Sequence, residues 1–367
     1  MTFNAKLDSI KTYEAGKPIE LVVREFGIPK NEIIKLASNE NPLGASPKAM
    51  EAIIKNVCNA HLYPDDSMFA LKGALSQYYN VQSSEIIIGS GSDQIIEFCI
   101  HAKANQQSKI LMAKTTFAMY EVYAKAVEAQ VIRTASHQHN LKEFLELYQQ
   151  HNPEIIFLCI PNNPLGECLG AEETFEFLNQ VDKNCLIVID GAYQEYAKAK
   201  DSSKAIHPKN LIEKFPNTIY LGTFSKVYGL GGMRIGYGIA KQEIIQSLLK
   251  LRPPFNITTL SLAAALEALK DQEHIQKSIQ NNLTQMSVFE NFAKEKGFEY
   301  TPSYTNFITY YFEPPLDSSQ IADYLLQKGI IIRNLASYGL NAIRITLGTE
   351  EQNKKFFTLF HQYLEQK

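Results

Sequence analysis

Between Glu85 and Ala240 the chain carries seven short apolar runs: Glu85–Gly89, Lys109–Ala113, Gln130–Thr134, Glu154–Ile160, Cys185–Asp190, Thr218–Gly222 and Arg234–Ala240. Stretches of helical character separate them. Most of the runs are continuous rather than alternating, as strands buried on both faces are. The pattern predicts an α/β layer, with a mainly parallel sheet flanked by crossover helices. At 367 residues, 45% hydrophobic and 20% charged, the chain can bury such a core. Disorder, collagen-like repeats and coiled coil are excluded as its main content.

Beyond Pro253 and Pro254 the texture changes. Residues 259–296 read as long helices, with Leu262, Leu266 and Leu269 at helical spacing. A strand (306–312), a helix (318–328), two strand runs (329–333 and 342–347) and a last helix follow, the last opening on a Thr349/Gln352 capping box. We expect residues 1–45 to form an arm across the other parts, 46–257 a large domain, and 258–367 a smaller α+β domain.

Thirty-six basic residues face 39 acidic ones, for a net charge of −3. No whole-molecule field draws the chain to nucleic acid or to an anionic membrane. The five cysteines are scattered and form no C-x-x-C pair, which argues for a reducing compartment. Met1–Lys17 has no apolar signal core, and no run is long enough to span a bilayer. A soluble cytoplasmic protein is expected, with neither nucleic acid nor membrane as partner.

Four of the runs end in side chains that carry chemistry. Asp190 closes one, followed by Gly191, Ala192 and Tyr193. A carboxylate there either caps a helix or meets a cation, since burying it alone is expensive. Another run leads into Pro161-Asn-Asn163-Pro-Leu-Gly166, which by itself reads as a turn. A third gives Thr223, Ser225 and Lys226 before a glycine-rich return to Arg234, a plausible anion cradle. A desolvated lysine at such a place is a Schiff-base nucleophile. The fourth, Gly89-Ser-Gly91-Ser92-Asp93, joins strand to helix and favours phosphate. Gln94 stands where a dinucleotide fingerprint has its third glycine, so a nicotinamide enzyme fits poorly. The H-x-H of His137 and His139 lacks a companion carboxylate or cysteine pattern, and no metal is expected.

Taken in order, Lys35-Leu-Ala-Ser-Asn39-Glu40-Asn41-Pro, Tyr63-Pro-Asp, the Gly89–Asp93 turn, Pro161–Gly166, Asp190–Tyr193, Ser225-Lys226 with Arg234, and Arg344-Ile-Thr-Leu-Gly-Thr span most of the chain. The set resembles the fold-type I pyridoxal-phosphate aminotransferases, and within them the histidinol-phosphate aminotransferases. That resemblance implies pyridoxal 5'-phosphate as cofactor and Lys226 as the residue that bonds to it and moves protons. Asp190 would pair with the ring nitrogen. Tyr193 and Asn163 would hold the phenolic oxygen, with Phe117 stacked on the ring. Ser92, Asp93, Thr223, Ser225 and Arg234 would bind the phosphate, together with Tyr63 from the second subunit of a homodimer. Tyr13, Asn39, Arg333 and Arg344 would recognise substrate. The implied reaction passes the amino group of histidinol phosphate to 2-oxoglutarate, by a ping-pong route, in histidine biosynthesis.

Rivals of the same fold are an aromatic amino-acid aminotransferase and a threonine-phosphate decarboxylase; a rival of another class is a non-catalytic pyridoxal-phosphate sensor. Two departures from the family pattern stand out. Gly191 replaces a usual Glu, expected to be a local packing change, and Leu165 replaces a usual Thr.

Overall fold

The computed structural model describes residues 5–10, 12 and 16–366. Among these, seven strands build the large sheet: β2 (Ile86–Gly89), β3 (Lys109–Met112), β4 (Gln130–Arg133), β5 (Ile155–Cys159), β6 (Leu186–Asp190), β7 (Thr218–Thr223) and β8 (Gly236–Ala240). Each falls on one of the seven apolar runs. Their spatial order is β2-β8-β7-β6-β5-β3-β4, and β8 alone runs against the rest. Alternate residues of a strand enter opposite cores. Ile156, Leu158, Ile187 and Ile189 pack on one face, while Ile155, Phe157, Val188 and Leu221 pack on the other. Two-sided burial is why these runs lack polar alternation.

A second sheet is antiparallel, in the order β12 (Arg333–Asn334), β13 (Ala342–Thr346), β10 (Phe307–Tyr311) and β9 (Glu299–Tyr300). Phe289 and Phe292 of helix Gln272–Lys296, with Phe356 and Phe360 of helix Glu350–Glu365, fill its core. That last helix starts on the expected capping box: the Gln352 N–H donates to Thr349 Oγ1 and the Thr349 N–H to Gln352 Oε1. The single run expected over 329–333 breaks in two. β11 (Ile330–Ile331) pairs with β1 (Ile34–Lys35), and only then does β12 turn to β13.

The early segment touches both sheets' surroundings. β1 pairs with β11, while Asn41 Nδ2 donates to Val227 O and to Ser278 Oγ, both at 2.8 Å. Helix Thr259–Lys270 lies C-terminal to the expected break at 257/258, yet its Ala264, Ala265, Ala268 and Leu269 belong to the large-sheet core. We propose that the division between domains runs through helix Gln272–Lys296, whose Ile275 and Ile279 join that core while its Met286 and Phe289 join the other.

Candidate active site

Parallel strands finish at one edge of their sheet, and that edge is where open α/β sheets bind ligands. Here β2, β5, β6 and β7 bring their carboxyl-terminal turns together. Because β8 runs the other way, Arg234, just ahead of its start, arrives at the same edge. The turns enclose a cavity of about 130 Å³. Ser92, Asp93, Phe117, Asn163 and Asp190 line it, as do Tyr193, Thr223, Ser225, Lys226 and Arg234. Ten of the residues singled out from sequence thus face one space.

The cavity has an anion-binding end. Ser92 and Asp93 sit in the first turn of helix Gly91–Lys103, where backbone N–H groups find no helical carbonyl. Gly91 has a φ of +77°, and a Cβ there would meet Arg234 Nη2 at 2.8 Å, so glycine lets the guanidinium close over the helix start. Arg234 Nη1 donates to Gly231 O at 3.1 Å and to Ser225 Oγ at 3.4 Å. Asp93 is held differently: Tyr123 donates to its Oδ2 at 2.8 Å, and burial holds its carboxyl above the usual range.

The opposite end is acidic. Asp190 is buried and its carboxyl is pushed upward by desolvation, against hydrogen bonds from Tyr120 Oη (2.6 Å) and the Ala192 N–H (3.1 Å). The helix-cap alternative fails, because the next helix starts at Gln194 with Tyr193 as its cap. A buried carboxylate with few donors is matched to a cationic partner.

Lys226 lies between these ends. Its Nζ donates to Ser38 O at 3.3 Å and stands 5.7 Å from the centre of the Tyr193 ring. Burial first, then the nearby Arg344 guanidinium, lowers its amine to about 8. About a tenth of it is therefore neutral and nucleophilic at pH 7, far more than for an ordinary lysine. Tyr193 Oη accepts from Asn39 Nδ2 at 2.8 Å, and Asn39 is clamped by Thr346 and Asn306. Arg344 Nη1 donates to Asn163 Oδ1 at 2.5 Å and Nη2 to Ala37 O at 2.6 Å, with its guanidinium over Phe307. A phosphate end, a carboxylate end, a neutralisable lysine between them and an aromatic wall form a donor set that fits pyridoxal 5'-phosphate.

Residues 31–359 match the family model for aminotransferase class I and II. The chain belongs to this aminotransferase family. Over 366 residues, and the full length of both chains, this aminotransferase is 60% identical to a histidinol-phosphate aminotransferase of Wolinella succinogenes. It is 61% identical over 365 residues to one of Aliarcobacter butzleri, again covering 100% of each. A crystal structure of histidinol-phosphate aminotransferase from Sinorhizobium meliloti in complex with pyridoxal-5'-phosphate is similar with a TM-score of 0.86 at 25% identity, covering 98% of this chain and 95% of that one. The architecture is that of the fold-type I pyridoxal-phosphate enzymes, as the sequence resemblance implied.

Two expected site residues of this aminotransferase lie elsewhere. Tyr63 is 81% exposed and stacks on Phe255 at 4.6 Å, outside the cavity of its own chain. Arg333 lines a separate recess, opposite Arg344 in the β12–β13 register. Tyr13 falls outside the described residues. Gly191 has a packing reason: a Cβ there would come within 2.6 Å of the Tyr220 ring, which fills the space a side chain needs.

Sequence reasoning missed Tyr120 and Cys159. Tyr120 stands three residues after Phe117 at a helix start, a spacing that places both on one side. Cys159 lines the cavity and is the register partner of Asp190 across β5 and β6. The two histidines of H-x-H serve the neighbouring turn: His137 Nδ1 is 2.7 Å from Thr115 Oγ1, and His139 Nδ1 is 3.1 Å from Glu167 Oε1. Among the described residues no His, Cys, Asp or Glu group is arranged for a metal, and no helix is long and apolar enough to cross a membrane.

Proposed function

We propose that this protein moves the amino group of L-histidinol phosphate to 2-oxoglutarate, giving imidazole acetol phosphate and L-glutamate, with pyridoxal 5'-phosphate as cofactor. The observation that carries the reading is the joint placement of Lys226, Asp190 and the Ser92–Arg234 anion cradle around one cavity. Full-length relatives named for this reaction support it.

When bound, the cofactor supplies an aldehyde carbon and an electron-accepting ring. The chain's own residues do the rest. Lys226 Nζ offers a neutral amine and carries a proton to or from the amino-bearing carbon of the donor. Asp190, kept from water, holds the proton of the ring nitrogen. Tyr193 and Asn163 hold the phenolic oxygen, and Ser92, Asp93, Thr223, Ser225 and Arg234 anchor the phosphate. Phe117 walls one face of the ring. Arg344 and Arg333, with Asn39 and Tyr13, receive the anionic end of each substrate. The two half-reactions share this site, so a ping-pong order follows.

The exposed apolar side chains Met50, Ile54, Val57, Leu62, Tyr63 and Phe69, close together in sequence, support a homodimer, with Tyr63 reaching the cofactor phosphate of the other subunit. Five free cysteines fit a cytoplasmic setting.

A half-reaction screen tests the reading. Histidinol phosphate, phenylalanine and threonine phosphate are added singly to the cofactor-loaded protein while its visible absorbance is followed. Fastest discharge by histidinol phosphate is expected; fastest discharge by phenylalanine turns the assignment to the aromatic rival, and carbon dioxide release from threonine phosphate to the decarboxylase.

A further inference from the structure

Beside the cofactor cavity lies a second recess of about 450 Å³. One chain segment walls both: Phe117 faces the cofactor cavity, and its neighbours Thr116 and Ala118 line the recess. The arginine pair joins them as well. Arg333 and Arg344 are direct partners across β12 and β13, so their side chains leave the same face of the sheet. Arg344 reaches Asn163 in the cofactor cavity, and Arg333 lines the recess.

The recess is basic. Among the described residues, Lys114, Lys125, Arg133 and Arg333 line it against a single carboxylate, Glu121. Glu121 is already engaged, by Arg133 at 2.6 Å and by Lys125 at 2.9 Å. Lys114 is an exposed side chain on a fixed backbone at the end of β3: its N–H donates to Thr134 Oγ1 at 2.9 Å, and its carbonyl accepts from Arg133 Nη1 at 2.8 Å. Thr116 supplies the second observation. Only 3% exposed, it lines the recess, and its Oγ1 has no hydrogen-bond partner among the described residues. A buried hydroxyl without a partner is unfavourable, and a ligand oxygen removes the penalty.

We propose that this recess receives the phosphate ester of the amino donor, and that Lys114 and Thr116 set its preference for a dianionic tail. The inference rests on the reading above, which already includes the arginine pair but not these two residues. Lysine acts on phosphate as a point charge, so its attraction for a dianion exceeds that for a carboxylate or an uncharged alcohol.

The test compares kcat/KM for histidinol phosphate with that for histidinol, in the cofactor-loaded wild type and in Lys114→Gln, Lys114→Arg and Thr116→Val. The spectroscopic Kd for histidinol phosphate is measured alongside. Lys114→Gln should lower the phosphate preference about tenfold, mainly through KM, and Thr116→Val about threefold. Lys114→Arg should keep most of it. Inorganic phosphate, as a competitive inhibitor, should lose affinity in parallel with the Gln variant. A preference unchanged within about twofold in both Lys114→Gln and Thr116→Val overturns this inference while wild-type use of histidinol phosphate upholds the function. A wild type that does not prefer histidinol phosphate to histidinol overturns both.

Discussion

The Tyr120 hydroxyl donates to Asp190 Oδ2 at 2.6 Å, while the same ring stacks on Phe157 and meets Phe117 edge-on. One side chain thereby ties the acidic end of the cavity to its aromatic wall. Burial raises the Asp190 carboxyl and the Tyr120 bond opposes that rise.

Tyr120→Phe removes the opposing bond, so the Asp190 carboxyl climbs further and stays neutral to a higher pH. Cofactor affinity needs the ionised form. We expect Kd for pyridoxal 5'-phosphate to weaken about tenfold on the acid side and less on the alkaline side, as read by fluorescence titration across pH. A loss of equal size at every pH contradicts the electrostatic role.

Burial first, and then Arg344, lowers the Lys226 amine to about 8. Only its neutral amine attacks an aldehyde. The rate of cofactor attachment, followed by stopped-flow absorbance, should rise about tenfold per pH unit below that value and level off above it. Arg344→Gln removes a charge that lowers the amine, so its profile should move to higher pH. A profile flat between about pH 6 and about pH 9 counts against the lowered amine.

The Tyr220 ring fills the space that a side chain at Gly191 would need. Gly191→Ala should destabilise the fold by about 1–3 kcal/mol, because the Tyr220 ring is locked in the core. In a Tyr220→Ala background the same change should cost much less. Urea denaturation of the four proteins measures the coupling, and strict additivity would show that the two positions do not compete.

The large sheet was legible because its strands are buried on both faces, which leaves uninterrupted apolar runs ending in Asp190, Asn163 and Lys226. The anion cradle was legible too, since Gly91 and the helix after it are a local pattern. Tyr120 was not, because its role exists only once β3 and β6 lie in one sheet. The break between β11 and β12 was hidden for a similar reason: the partner of β11 comes from residues 34–35, some three hundred positions away. Arg333 stood out in the sequence as a substrate candidate, yet its place in a recess apart from the cofactor cavity depends on strand register, which no local pattern reveals.

The homodimer reading concerns Tyr63, held at the surface against Phe255, whose own backbone N–H is fixed by Asp66. Tyr63→Ala and Lys226→Ala should each be nearly inactive alone. Mixed and reassorted, they should regain up to about a quarter of wild-type activity, since half the dimers then carry one intact site. Absence of any recovery, with subunit exchange verified by native mass spectrometry, contradicts a tyrosine shared across subunits.

The central claim is that Lys226 carries the cofactor. Borohydride reduction of the loaded protein, followed by peptide mass spectrometry, tests it most directly. The account predicts a reduced pyridoxyl-phosphate adduct on the peptide containing Ser225 and Lys226, and none on that peptide in Lys226→Ala. An adduct on another lysine, or a wild-type protein left unlabelled after saturation with cofactor, would contradict it.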